Sequence, residues 1–92
     1  MERNRRIQIN DSVASAELDD GVVLLNADTG IYFGLDEVGA RIWRLIEGGG
    51  TEAEVARRLL DEFDAEPSQV KRDLSDFVNL LVSNDLATVA PA

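Results

Sequence analysis

The 92-residue chain has room for one hydrophobic core, and its 45% apolar share suits a folded globule rather than a disordered chain. It contains neither cysteine nor histidine, which excludes disulfides, thiolate metal sites, a cysteine nucleophile and the commonest general base. The net charge is −9, and from residue 7 onward six basic side chains face seventeen acidic ones, so the body of the protein repels phosphate rather than gathering it.

The first element, "MERNRRIQIN", is polar apart from Ile7 and Ile9 and reads as the main part of an extended N-terminal arm over residues 1–12. Its arginines precede no signal-peptide core, and no uncharged apolar run nears the roughly 18 residues of a membrane span. The expectation is a cytoplasmic protein with no membrane partner. "VASAEL" (13–18) reads as a weak strand stopped by the turn residues Asp19-Asp20-Gly21, and "VVLLN" (22–26) as a strong one. "ADTG" (27–30) then turns the chain into "IYFGL" (31–35), with Gly30 available for a positive φ.

Three helices follow. Asp36 caps the first, about Glu37 to Glu47, which ends at "GGG" (48–50). Thr51 and Glu54 form the capping-box pattern that opens the second, continuing through Val55, Leu59, Leu60 and Phe63. Pro67 suits the first turn of a third helix that runs to about Asn84, and the tail "LATVAPA" adds a short extended piece. The fold class is therefore α+β: a winged helix-turn-helix with a three-stranded antiparallel sheet followed by three helices.

Two features carry more apolar surface than a small core needs. In the hairpin both faces are partly apolar, and Ile31, Tyr32, Phe33, Gly34 and Leu35 form an edge strand with no lysine, proline or other guard. In the third helix the apolar arc from Leu80 round to Val82 spans roughly 200°, wider than one core-facing stripe. The flank carrying Leu74, Val78 and Val82, with Lys71 and Ser75 alongside, is expected to wall a groove. An open edge beside an apolar helix accepts an extended guest peptide as an added strand. Trp43 is expected in the core.

The short turn between the second and third helices also invites a DNA-binding reading. From Glu66 to Asp85, however, two basic residues stand against four acidic ones, a poor match for a recognition helix. The acidic pairs Asp19-Asp20 and Asp36-Glu37 are accounted for as turn and cap, so no metal, no other cofactor and no catalytic residue is expected.

The run "TGIYFGLDEVGARIW", followed by "DEFD", a proline-containing turn and a valine-rich last helix, resembles the PqqD-like family across residues 13–87, with 88–92 as a tail. The resemblance implies a non-catalytic winged-helix domain that binds the leader segment of a ribosomally made precursor peptide. The leader would pair antiparallel with Ile31–Leu35 and lie beside Lys71, Leu74, Ser75, Val78 and Val82, with Tyr32 as an aromatic contact and Lys71 meeting a leader carboxylate. A free-standing member of this kind looks most like the leader-recognition subunit of lasso-peptide maturation, which presents the precursor to a cysteine-protease subunit. A chaperone serving a radical enzyme in pyrroloquinoline-quinone assembly is the alternative, and a winged-helix DNA regulator the alternative of another class. Oligomeric state is not read from these residues.

Overall fold

A computed structural model describes residues 4–91. The chain order is β1 (Arg5–Ile9), β2 (Val13–Leu18), β3 (Gly21–Asn26), β4 (Ile31–Leu35), α1 (Glu37–Glu47), α2 (Glu52–Glu62), α3 (Pro67–Ser83) and β5 (Ala87–Pro91). The expected three strands and three helices are all present, with an antiparallel sheet ordered β2-β3-β4.

Local chemistry sets the boundaries. Gly30 closes the hairpin with φ +73°, a conformation costly for other residues, and aligns Leu24 with Phe33 and Val22 with Leu35. Gly21 is required for a different reason. A Cβ there would lie 2.0 Å from the Leu35 carbonyl oxygen, so only glycine lets β3 pass under the step from β4 into α1. Asp36 Oδ1 accepts the Gly39 N–H at 2.8 Å, and Thr51 and Glu54 complete the capping box of α2.

Residues expected as arm and tail are joined. β1 pairs antiparallel with β5, from Arg5 opposite Pro91 to Ile9 opposite Ala87, as a second, two-stranded sheet. Ile7 and Ala87 are buried, so this ladder closes one side of the core; residues 1–3 of the arm and Ala92 of the tail lie outside the described residues. Arg5 is not a loose cation: it pairs with Glu52 and donates to Asn79 Oδ1 at 3.0 Å, tying β1 to α2 and α3.

One core serves both sheets. Val22 and Leu24 of β3 meet Trp43 of α1, Val55 of α2 and Leu74, Val78 and Leu81 of α3 in a single buried cluster. Trp43 is 1% exposed, as expected, and its indole N–H is buried without a hydrogen-bond partner among the described residues. The large apolar ring must outweigh that orphan donor, whose desolvation costs about 1–3 kcal/mol. Among the described residues no helix is long and apolar enough to cross a membrane.

The corner after α3 is held by polar contacts. Asp85 takes φ +58°, the left-handed residue of a Schellman ending in which Leu86 N–H reaches the Leu81 carbonyl at 2.9 Å and Asp85 N–H reaches Val82 at 3.2 Å. The Asp85 carbonyl accepts from Nδ2 of Asn26 at 2.9 Å and also from Nδ2 of Asn10. Asn26 is buried, and its Oδ1 accepts the Asp28 and Thr29 N–H groups at 2.9 and 3.3 Å, so both ends of the amide are satisfied. Asn26→Leu should therefore destabilise the domain by about 1–3 kcal/mol, read as an earlier denaturant midpoint in Trp43 fluorescence.

At the surface, Arg41 of α1 grips Glu62 of α2 through two hydrogen bonds, with Nε to Oε2 at 2.8 Å. Those hydrogen bonds, with a smaller attraction between the charges, hold the Glu62 carboxyl below the ordinary carboxylate range despite some desolvation. Its folded pKa is lowered, so the stability it contributes is present above the unfolded-state value and lost as pH falls through the folded one. Glu62→Gln is expected to flatten the acid limb of the stability–pH curve relative to the wild type, measured by urea unfolding across that range.

Candidate functional site

β4 forms one edge of the β2-β3-β4 sheet, and among the described residues no strand pairs with its outer side. Alternation places Ile31, Phe33 and Leu35 on one face, where Phe33 and Leu35 are half-buried against the core and Ile31, at the start of the strand, is 61% exposed; Tyr32 on the other face is 69% exposed. At Gly34 the space that a Cβ would enter is open. Backbone donors and acceptors therefore reach solvent along a short strand whose exposed side chains are apolar or aromatic.

Among the described residues α3 packs mainly on α2 and β5, and β4 on β3 and α1. With Val70 as the origin and about 100° per residue, the buried residues Leu81, Leu74 and Val78 lie near 20°, 40° and 80°. The flank toward larger angles carries Lys71 and Ser75 and turns to α2. The opposite flank carries half-buried Val70 and Phe77, with Leu80 exposed beyond them. Phe33 and Leu35 of β4 and Val70 and Phe77 of α3 all pack on the margin of the same core.

The five strand residues expected at the site thus lie together along an open edge. The five helix residues do not form one wall. Val78 is fully buried and Leu74 is 1% exposed, so they belong to the core. Lys71, Leu74 and Ser75 line a cleft of about 710 Å³ between α2 and α3, which also takes in Asn4 and Arg5 at the start of β1. Val82 is exposed near the end of α3. The apolar arc is exposed at both its ends, at Leu80 on one flank and at Val82 on the other, with Phe77 half-buried beside Leu80. Phe77 was on that arc in the sequence; its half-burial, which distinguishes it from Val78, depends on which elements flank α3.

Among the described residues there is no group of three or more histidine, cysteine, aspartate or glutamate side chains that could hold a metal ion.

The sequence profile of the family described as "Coenzyme PQQ synthesis protein D (PqqD)" matches residues 21–87. Two solved structures share the fold. One, described as "TbiB1 in Complex with the TbiA(beta) Leader Peptide", is 45% identical with a TM-score of 0.83, covering 87% of this chain and 93% of that one. The other, "Lasso peptide synthetase B1 complexed with the leader peptide", is 29% identical with a TM-score of 0.81, covering 89% and 96%. No curated protein matches the chain.

Val78 is fully buried, and a carboxylate placed there by Val78→Asp has no partner and little water. The variant should lose more than about 4 kcal/mol and unfold, seen as loss of helical circular dichroism and a red shift of Trp43 emission.

Proposed function

Because the chain belongs to the PqqD family, we propose that it is a non-catalytic recognition domain that binds the leader segment of a ribosomally synthesised precursor peptide and presents it to a separate maturation enzyme. The open edge of β4 carries this reading. A leader adding a strand there gains backbone hydrogen bonds that tolerate sequence variation, while side-chain contacts supply selectivity. Ile31, Tyr32, Phe33, Gly34 and Leu35 form the pairing edge. Val70 and Phe77, with Leu80 at the rim, form the apolar wall on α3, in place of Lys71, Leu74, Ser75 and Val78.

Tyr32 suits the pairing edge because an aromatic ring adds contact area at small entropic cost while its hydroxyl stays wet. Asp73 and Asp76 are exposed on α3, and the net charge of −9 favours encounter with basic leader residues.

The likeness to two leader-peptide complexes, one of them of a lasso peptide synthetase B1 at 29% identity, supports a lasso-peptide leader, with a cysteine-protease subunit as the recipient of the bound precursor. The PqqD profile match supports a second reading, in which the recipient is a radical enzyme. Delivery is tested separately from binding, by asking whether a candidate enzyme cleaves or modifies its precursor faster when this protein is present.

Fluorescence anisotropy of a labelled leader peptide, titrated with the full chain, tests the binding itself, with the detached core peptide and duplex DNA as controls. Saturable binding of the leader alone is expected. Phe77→Ala should weaken it about tenfold or more while leaving the circular dichroism spectrum unchanged, and Ser75→Glu should leave it within about twofold. Loss in Ser75→Glu with Phe77→Ala unaffected would move the groove to the α2 side of α3, and binding of the core peptide or DNA instead of the leader would overturn the reading.

A further inference from the structure

The cleft between α2 and α3 collects cations in a protein that is otherwise strongly acidic. Arg5, Arg57, Lys71 and Arg72 line it, four of the nine basic residues of the chain, against Glu52 as its one acidic lining residue. Glu52 is already paired with Arg5. The cleft therefore carries a net charge of +3, while the chain as a whole carries −9. Beneath the cations lies an aliphatic floor of Ala56, Leu60 and Leu74, and no lining residue is aromatic. That floor lacks a platform on which a nucleobase would stack, but it suits short aliphatic side chains.

We propose that this cleft is a second docking site, which takes an acidic amphipathic segment of a partner protein. Carboxylates along one face of the segment meet Arg57 and Arg72, and aliphatic residues on its other face rest on Ala53 and Leu60. Complementary charge guides the encounter, and the sunken floor adds apolar burial. The cleft opens on the α2 side of α3, whereas Val70 and Phe77 lie on the other flank, so this site and the edge of β4 are filled independently. A chain with two such sites holds two partners at once on either side of one helix.

The test titrates the full chain with a labelled peptide alternating pairs of glutamates and leucines on a helical repeat, beside its lysine–leucine counterpart. Saturable binding of the acidic peptide is expected, falling with added salt. It should weaken about tenfold in the double variant Arg57→Glu/Arg72→Glu and by less in Arg57→Gln/Arg72→Gln. Arg57 and Arg72 are both exposed, so Trp43 emission should stay at its folded value and leader binding should be unchanged. Failure of the acidic peptide to bind, equal uptake of the basic peptide or indifference to the double variants would overturn the proposal. Displacement by leader peptide or tighter binding of duplex DNA would overturn it too. Because leader affinity is read on the same protein, loss of this site and loss of the leader site give different results.

Discussion

The carbonyl oxygen of Asp85 holds the two halves of the domain in place. Asn26, at the end of β3, and Asn10, just after β1, both donate to it. It belongs to a residue held in a left-handed conformation by the hydrogen bonds that terminate α3. The hairpin and the last helix are thus fastened at this corner, while α3 otherwise packs mainly on α2 and β5. Were α3 packed flush against β4, the edge would be covered like that of an ordinary sheet. The separation of the two elements is as much a product of the sequence as their attachment.

An uncovered edge invites pairing with another copy, and proteins commonly discourage this with lysines or prolines on the strand. β4 has neither. The protection is spread over the whole molecule instead: two copies approaching edge to edge each bring a net charge of −9. Such repulsion is non-directional and hinders a second acidic domain far more than a neutral or basic peptide. One property of the composition therefore opposes self-association at this edge without placing a charged side chain on β4.

The parts legible in the sequence are those whose causes are local. Capping by Asp36 and Thr51, the hairpin at Gly30 and the start of α3 at Pro67 each depend on a few adjacent residues, and each stands where the residues put it. Pairing between β1 and β5 depends on chain segments at opposite ends, with short alternations that offer little signal alone. Periodicity reports how wide an apolar arc is, not which neighbour covers each part, so the wall expected on α3 mixes buried Leu74 and Val78 with exposed Val82. Val78 and Phe77 look alike on that basis, yet Val78 is fully buried and Phe77 only half-buried. Asn26 and Arg5 were missed for a related reason, since a polar residue closing an apolar strand, or an arginine in a polar arm, resembles ordinary surface until its distant partner is placed.

The ladder between β1 and β5 has a bearing on the order in which the domain assembles. Residue 5 meets residue 91, so forming this ladder closes a loop of almost the whole chain, whereas the β2-β3-β4 hairpins close over short turns. Loop-closure entropy grows with length, and contacts of high sequence separation are therefore costly until the intervening elements have already gathered. The terminal ladder is accordingly the last piece to join and the first to open. Native-state amide exchange would show it as a unit of lower protection than the hairpin, one whose fluctuations reach Ile7 and the β1 side of the α2–α3 cleft before they reach β4.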